Sequence, residues 1–463
     1  MKFRSTRLTS PPVTLSEAIQ KSIAPDGGLY VPVSFPAFKV EDFEELESWR
    51  EIGERILEIF FEDDALGPQL AEICSEAFNF PVPLNYLNDD TAVLELFHGP
   101  SAAFKDVGAR FLAACVSRLS GRRTVIVATS GDTGGAVAAA FHEHPEIQVI
   151  VLFPKNKISP RQQQQLTCWG ESVRAFAVRG DFDDCQRIVK SAFANRAWAD
   201  AQGLLSANSI NLGRLLPQTV YYAAAGLWYL RERGRVPGFI IPTGNLGNAV
   251  AAFWARRMGL PVREIILATN ANDAIPVYFS SGSWTPHRTV ATLANAMDVG
   301  NPGNMERLMD LHAEVAELRK IAQSFSVSDQ EINDTIAGDY RSRQLIWCPH
   351  TATAVHARER LSSPHWIIVA TAHPAKFDSI VEPLIDRAVN VPQSLARLLN
   401  APSHFTEIDP EFAALKEALI KVRLKPAFAP LLLGGAQLRQ RDSKLLMCAG
   451  FQPRRISFLV IDS

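Results

Sequence analysis

The sequence predicts an α/β protein with two lobes, each a mostly parallel sheet flanked by helices, together with an N-terminal accessory segment. Three observations predict this fold. Continuously apolar runs such as 124–128 and 148–153 are typical of strands buried on both faces. Apolar residues at helical spacing follow these runs. Segments rich in glycine, serine and threonine follow the predicted strands. The alternation of strands and helices along the chain is typical of parallel α/β layers.

Four parts are predicted along the chain: an accessory domain at 1–85, a first lobe at 86–236, a second lobe at 237–424 and a tail at 425–463 whose role stays open. The accessory domain is predicted to hold a helix at 15–23, a short strand at 29–31 and further helices at 40–61 and 68–78. The first lobe is predicted to hold strands at 124–128, 148–153 and 172–178, with helices from 133, from 160 and over 181–197. The second lobe is predicted to hold strands at 238–242, 264–268 and 366–370.

Composition restricts the class of protein. The chain has 463 residues, of which 47% are hydrophobic and 21% charged, as expected for a globular protein of two or more domains. Its net charge of −2 does not favour nucleic acid or a membrane surface as a partner. Its six cysteines lack Cys-x-x-Cys spacing, so no metal site is expected. No secretory signal or membrane span is expected either, which favours a cytoplasmic protein. Its oligomeric state, monomer or homodimer, stays open.

A lysine stands in an unusual setting at 97–106. Gly99 and Pro100 predict a tight turn, Ser101 adds a hydroxyl, and Phe104 begins an apolar stretch beside Lys105. An apolar setting disfavours the ammonium form and lowers the lysine pKa, as chemistry with an aldehyde requires. A lysine alone is more often a solvated side chain, so this run needs support from elsewhere in the chain.

Two runs at predicted strand ends can bind anions. One contains Thr129, Ser130, Asp132 and Thr133, and hydroxyls and free amides at a helix start bind carboxylate or phosphate. The same residue types also cap helices without binding anything. The other run is a glycine-rich turn before a predicted helix and consists of Gly244, Asn245, Leu246, Gly247 and Asn248. It is typical of a phosphate cradle, although a plain strand-to-helix turn fits it equally well.

Polar residues occupy three further stretches. Asn208, Ser209 and Arg214 bring an amide, a hydroxyl and a guanidinium to a helix start, and arginine binds phosphate with two parallel hydrogen bonds. Thr371 follows the last buried strand, where a hydroxyl can face a bound ring. The four glutamines at 162–165 are expected on a solvated helix face. A lysine amine combined with a phosphate cradle is what pyridoxal 5'-phosphate needs.

These runs together resemble the pyridoxal-phosphate enzymes of the tryptophan-synthase β fold (fold type II), and within them the threonine synthases of the longer bacterial and fungal type. The resemblance extends from 26 to about 424. Its most specific runs are 95–100, 296–300 and 371–377.

The resemblance implies a role for each candidate residue. Lys105 matches the family's Schiff-base lysine, the turn 244–248 matches the loop that holds the cofactor phosphate, and Thr371 matches the hydroxyl partner of the pyridine nitrogen. A hydroxyl there fits elimination better than transamination. Asp132 stands where related enzymes often carry asparagine near the ring 3-hydroxyl, and its own contact stays open because a carboxylate would repel a phenolate. The predicted substrate-binding residues are Thr129, Ser130 and Thr133 for the α-carboxylate and Asn208, Ser209 and Arg214 for a phosphate.

The implied reaction converts O-phospho-L-homoserine and water into L-threonine and phosphate, the last step of threonine biosynthesis. Lys105 would act as general base and acid. Other fold-type-II activities stay open as alternatives, namely an O-phosphohomoserine phospho-lyase or a serine/threonine dehydratase. A non-catalytic nucleotide-binding or regulatory protein is a further alternative, because the glycine-rich turn by itself does not distinguish it.

Overall fold

The computed structural model describes residues 1–170 and 172–423, and residues 1–418 form one compact unit. Thirteen strands are found among the described residues: β1 (Phe3–Ser5), β2 (Tyr30–Pro32), β3 (Leu84–Tyr86), β4 (Thr91–Glu95), β5 (Thr124–Ala128), β6 (Gln148–Pro154), β7 (Val173–Val178), β8 (Leu204–Ser206), β9 (Gly238–Pro242), β10 (Ile265–Thr269), β11 (Ala322–Ser326), β12 (Trp366–Ala370) and β13 (Thr406–Ile408).

The α-helices in the same part of the chain are α1 (Leu15–Lys21), α2 (Trp49–Phe61), α3 (Leu70–Ala77), α4 (Lys105–Ser117), α5 (Asp132–Phe141), α6 (Pro160–Thr167), α7 (Phe182–Ala194), α8 (Arg196–Gln202), α9 (Leu212–Leu215), α10 (Gln218–Arg233), α11 (Gly247–Arg257), α12 (Ala274–Ser281), α13 (Met305–Leu311), α14 (Val315–Arg319), α15 (Asp329–Arg343), α16 (Pro349–Glu359), α17 (Asp378–Ile385), α18 (Gln393–Leu399) and α19 (Phe412–Arg423). Single 3-10 turns form at Val40–Phe43, Gly67–Gln69, Asn295–Met297 and Pro374–Phe377. No helix of the described chain is both long and apolar enough to cross a membrane.

Two main sheets position the site. The larger has the strand order β11-β10-β9-β12-β4-β3, and its pairs are parallel except for the antiparallel pair β3 and β4. The smaller has the order β13-β7-β6-β5-β8 and is parallel throughout. The central strands of both are buried on both faces, so they read as continuous apolar runs. The predicted α/β class with mostly parallel sheets and an N-terminal segment is confirmed.

Strand membership differs from the contiguous lobes 86–236 and 237–424 that the sequence predicts. Strand β4 pairs with β12 in the larger sheet, while β13 returns to pair with β7 in the smaller one. The chain therefore passes between the sheets more than once. Local patterns predict that a segment is a strand, but long-range packing selects its neighbour. The predicted tail at 425–463 lies outside the described residues.

Two predicted helices differ in extent for local reasons. The predicted helix 40–61 begins only at Trp49, because Ser48 forms a reciprocal capping box with Glu51. The predicted helix 181–197 is divided into α7 and α8 at Asn195, whose side chain accepts a hydrogen bond from the Trp198 amide. Both interruptions follow from capping side chains.

The N-terminal segment forms a small two-stranded sheet. Strands β1 and β2 pair antiparallel, and Arg4 in β1 makes a bidentate ion pair with Asp310 in α13 at 2.7 and 3.0 Å. Thr6 donates a hydrogen bond to Glu306 of the same helix. This segment is therefore attached to α13.

Candidate active site

The candidate site lies where the carboxyl ends of strands from both sheets come together, the usual ligand position in parallel α/β folds. The loop after β4 leads to Lys105, the first residue of α4. The Phe104 amide donates to the Thr371 carbonyl at 2.8 Å, and the His373 amide donates to the Ala102 carbonyl at 3.0 Å. These two hydrogen bonds attach the loop before Lys105 to the segment that follows β12. Ala102 in this loop has a left-handed φ of +54°.

The Lys105 side chain has the properties of a nucleophile. Burial lowers the pKa of its amine to about 8, and the charges of Lys376 and Arg214 act in the same direction while Asp132 opposes them. Its Nζ lies 5.2 Å from the centre of the Phe104 ring. Among the described residues this amine has no hydrogen-bond or ion-pair partner. An amine with a lowered pKa is suited to bond an aldehyde or to carry protons near neutral pH.

A buried ion pair faces this lysine. The Asp132 carboxylate at the start of α5 lies 2.9 Å from Lys376 Nζ, and both side chains are almost completely buried. Gln162 Nε2 donates to the same carboxylate at 3.1 Å. Burial by itself would raise the pKa of Asp132, but the nearby cations Lys376 and Lys105 outweigh it and hold that pKa below its usual range. Asp132 is therefore a carboxylate whose charge Lys376 balances.

Lys376 also holds the loop that precedes Lys105. Its Nζ donates to the Ser101 carbonyl at 2.8 Å, which also accepts from Gln165 Nε2 at 3.0 Å. Gln162 and Gln165 are each 1% exposed, so the expected solvated glutamine face is wrong for these two. They are three residues apart, so they share one helix face, and that face of α6 turns toward the site.

The run at 129–133 shapes the start of α5. The Thr129 hydroxyl accepts hydrogen bonds from the amides of Gly131 and Gly134, both at 2.9 Å, so it caps the turn. Ser130 and Thr133 are partly exposed. Of the three predicted carboxylate ligands, these two are the residues that are not buried, while Thr129 orders the backbone amides of Gly131 and Gly134.

The glycine-rich turn is a tight cradle between β9 and α11. A Cβ at Gly244 would come within 2.6 Å of the Met297 carbonyl oxygen. Leu246 has a left-handed φ of +62°, and the side chain of Asn248 accepts from the Thr243 hydroxyl at 2.8 Å. The first amides of α11 lack intrahelical acceptors. A turn that excludes side chains and ends in free amides fits a phosphate group.

The segment after β8 lies against this cradle. Ser209 Oγ accepts hydrogen bonds from Asn245 Nδ2 at 2.7 Å and from Asn304 Nδ2 at 3.0 Å. Asn208 forms two hydrogen bonds with the backbone of Ala128, at 2.8 and 3.3 Å. The structure therefore brings Ser209 next to the predicted cofactor loop, whereas the Asn208 amide joins the ends of two strands.

Arg214 is buried, although its sequence position also fits an exposed cap. Its side chain is 3% exposed and its guanidinium donates to the Ala207 carbonyl, while its Nε has no partner among the described residues. Burial lowers its pKa to about 10, which leaves the group charged, and Asp106 opposes that shift. No described carboxylate forms an ion pair with it. An unpaired buried cation favours an anionic ligand nearby.

Thr371 directly follows β12 and is 4% exposed. Its amide donates to the Thr351 hydroxyl at 3.3 Å, and no other described residue bonds to its own hydroxyl. This hydroxyl is thus free to meet a ring nitrogen.

Sequence reasoning missed two members of the site, His350 and Lys376. His350 Nε2 accepts from the Ala296 amide at 3.0 Å, and burial lowers the pKa of its imidazole to about 4, so the ring is neutral. Lys376 belongs to the family-specific run 371–377, and this was its only signal in the sequence.

Comparison with known proteins assigns the family. The family model "Pyridoxal-phosphate dependent enzyme" matches residues 83–371, and those for the threonine synthase N terminus and C-terminal domain match 2–78 and 351–419. Threonine synthase of Serratia marcescens is 37% identical over 91% of this chain and 99% of its own length. The chain belongs to the threonine synthase family. The predicted enzyme class and the cofactor, pyridoxal 5'-phosphate, are confirmed.

Solved structures of the threonine synthase family agree with this assignment. The crystal structure of threonine synthase from Escherichia coli matches with a TM-score of 0.85 and 35% identity, over 91% of this chain and 100% of that one. The pyridoxal-phosphate-bound threonine synthase from Brucella melitensis matches with a TM-score of 0.84 and 33% identity, over 90% and 98%. The roles of individual site residues stay predictions.

Proposed function

We propose that this chain converts O-phospho-L-homoserine and water into L-threonine and phosphate, and that it does so in the cytoplasm. Membership of the threonine synthase family supports the reaction. The five cysteines in the described part of the chain are all free thiols, which fits a reducing compartment.

The observation that carries the proposal is the environment of Lys105. Its amine, which no described residue pairs with, has a pKa of about 8 and lies at the strand ends that also carry Thr371 and the cradle 244–248. Lys105 would bond the cofactor aldehyde, the cradle would hold the cofactor phosphate, and Thr371 would face the ring nitrogen. Bound pyridoxal phosphate supplies an electron sink for a carbanion at the substrate. Once released from the cofactor, the Lys105 amine would move protons at the substrate carbons.

The start of α5 is the proposed site for the substrate α-carboxylate. Ser130 and Thr133 are partly exposed residues with hydroxyl groups, and Thr129 orders the amides of Gly131 and Gly134. A carboxylate gains further stabilisation at a helix N-terminus. Asp132 would stay next to the cofactor ring as a carboxylate balanced by Lys376.

Arg214 supports a substrate that carries its own phosphate. This cation is buried without a described carboxylate partner and acts electrostatically on Lys105. We assign the substrate phosphate to Arg214, whereas the side chains of the other two predicted ligands, Asn208 and Ser209, already bond the Ala128 backbone and the amides of Asn245 and Asn304. Phosphate retained there after it leaves the substrate would orient the attacking water.

The deciding experiment is incubation of the purified protein with O-phospho-L-homoserine and simultaneous measurement of threonine and phosphate. Equal amounts of both are expected. Phosphate together with 2-oxobutyrate and no threonine would indicate a phospho-lyase. If neither threonine nor phosphate forms, the proposed function is wrong.

The phosphate pocket has its own test. We expect Arg214→Ala to lower kcat/KM at least ~100-fold, because a desolvated charge-assisted contact to phosphate is lost. Arg231→Ala is the matched control, since Arg231 also donates to backbone carbonyls but lies at the far end of α10. Full turnover by Arg214→Ala would overturn the pocket assignment while leaving the role of Lys105 intact.

A further inference from the structure

Arg307 is a completely buried cation whose contacts are all uncharged. It lies in α13 with 0% exposure. Its Nε donates to the Tyr30 carbonyl at 3.1 Å, and its Nη2 donates to the Ile210 carbonyl at 2.7 Å. Its Nη1 donates to the Ser209 carbonyl at 3.2 Å and to Asn304 Oδ1 at 2.7 Å. These bonds orient the guanidinium but leave its charge unbalanced.

No described carboxylate forms an ion pair with Arg307. The nearest acid in sequence, Glu306, instead lies 3.4 Å from Arg7 and accepts a hydrogen bond from Thr6. Burial lowers the pKa of Arg307 to about 9, so it still carries its charge at neutral pH. An unbalanced buried charge is costly in free energy, which favours a counter-anion close by.

The cation lies one side chain away from the cradle 244–248. Its hydrogen-bond partners Ser209 and Asn304 both contact this cradle: a Cβ at Gly247 would come within 2.9 Å of Ser209 Cβ and 3.4 Å of Asn304 Nδ2. Asn304 Nδ2 also donates to the Asn245 carbonyl at 2.9 Å. Ser209 and Asn304 thus each connect the Arg307 guanidinium to the cradle 244–248.

We propose that Arg307 is a positioning residue whose buried charge acts through Ser209 and Asn304 to stabilise the phosphate of the bound cofactor. This inference rests on the proposed role of the cradle as the cofactor-phosphate site. The N-terminal segment contributes to this arrangement, because the Tyr30 carbonyl helps to hold the guanidinium in place.

The test compares pyridoxal 5'-phosphate with pyridoxal, which differs only by the phosphate. Full-length protein stripped of cofactor is titrated with each compound and binding is followed by absorbance. We expect Arg307→Met to weaken binding of the phosphorylated compound about 10- to 100-fold, as loss of one charge several ångströms away implies. Pyridoxal binding should change little, and Arg307→Lys should recover part of the loss.

Arg256→Met is the matched control. Within the described chain Arg256 likewise donates to uncharged acceptors, the backbone carbonyls of Val262 and Arg263, but it lies at the opposite end of α11 from the cradle. Its loss should leave the preference for the phosphorylated compound unchanged. Equal weakening of both compounds by Arg307→Met would mean a purely structural role and overturn the inference, as would no change for either.

Asn304→Asp keeps the test decisive should Arg307→Met not fold. The change is isosteric and places a carboxylate where Asn304 Oδ1 now accepts from Arg307 at 2.7 Å. We expect this variant to lose its preference for the phosphorylated compound, because the new carboxylate balances Arg307 and presents an oxygen where Asn304 Nδ2 now donates to Ser209 Oγ and to the Asn245 carbonyl. An undiminished preference would contradict a charge that acts through Asn304. Wild-type protein that does not discriminate the two compounds would instead refute the cradle as the phosphate site.

Discussion

At the residue scale, the site depends on how buried charges are balanced. Asp132 and Lys376 neutralise each other at 2.9 Å, and the neutral His350 adds no charge beside them. Lys105 has no ion-pair partner in the part of the chain that the structure describes, and its pKa falls to about 8. The repulsion between a carboxylate and a phenolate that the sequence suggested at Asp132 is therefore offset by Lys376. Lys376 balances the charge of Asp132, and Lys105 is available for chemistry.

The lowered pKa of Lys105 predicts how cofactor attachment depends on pH. Below about pH 8 the amine is increasingly protonated and cannot attack an aldehyde, so the attachment rate should rise with pH and level off above about 8. The measurement is the rate of absorbance change when pyridoxal 5'-phosphate is added to cofactor-free protein. Nα-acetyl-lysine is the control and should keep accelerating toward its ordinary pKa of about 10.4. A protein rate that still rises above pH 9.5 would contradict the lowered pKa.

The buried ion pair predicts a strong coupling in stability. Lys376→Met leaves the Asp132 carboxylate buried without its partner, so we expect a loss of about 3–5 kcal/mol in the free energy of unfolding. The double variant Asp132→Asn with Lys376→Met should regain most of this loss, because no unpaired charge remains. Denaturant unfolding of the cofactor-free protein measures both. Additive losses in the double variant would show that the two groups do not interact.

At the element scale, the cradle depends on the close approach of two backbones. Strand β9 ends at Pro242, and the following turn packs so closely on Met297 that Gly244 leaves no room for a side chain. The same turn is held from the other side by Ser209 and Asn304. The helix α11 can then present its first amides to an anion.

This packing predicts opposite outcomes for two Gly→Ala changes. At Gly244 the new Cβ would lie 2.6 Å from the Met297 carbonyl oxygen, so the turn must shift and cofactor affinity should fall at least ~10-fold, a loss of about 1.4 kcal/mol. Gly338 lies inside α15 with no atom within 4 Å of its added Cβ, so Gly338→Ala should gain about 0.5–1 kcal/mol in stability. Cofactor titration and thermal unfolding measure the two effects. Unchanged affinity in Gly244→Ala would argue against the cradle as the phosphate site.

At the scale of the whole molecule, the site is shared by both sheets. Lys105, Thr371 and the cradle follow strands of the larger sheet, whereas Asp132 and Ser209 follow strands of the smaller one. The N-terminal segment adds the Tyr30 carbonyl and the ion pair between Arg4 and Asp310 that anchors α13. A ligand bound at this position would therefore connect elements of both sheets and of the N-terminal segment.

Removal of the cofactor should therefore lower the unfolding temperature of the whole protein. A ligand present at 100 times its Kd stabilises the folded state by about 2.7 kcal/mol, which corresponds to several degrees in Tm. Calorimetry of the protein with and without pyridoxal 5'-phosphate measures the difference. Lys105→Ala, which cannot form the covalent bond, should gain less from added cofactor. Equal unfolding temperatures with and without cofactor would contradict a site that joins the sheets.

The sequence by itself determined the α/β class and most strands, and it predicted Lys105 and the glycine-rich turn as parts of the candidate site. These features depend on spacing within a few residues: apolar runs predict buried strands, and a turn that must exclude side chains requires glycine. Only the tertiary structure decided that β4 joins the larger sheet, that Gln162 and Gln165 face inward, and that Asp132 pairs with Lys376. Arg307 gave no signal at all in the sequence, since an arginine is normally exposed. Burial and charge balance depend on which distant segments pack together, and no local pattern encodes that choice.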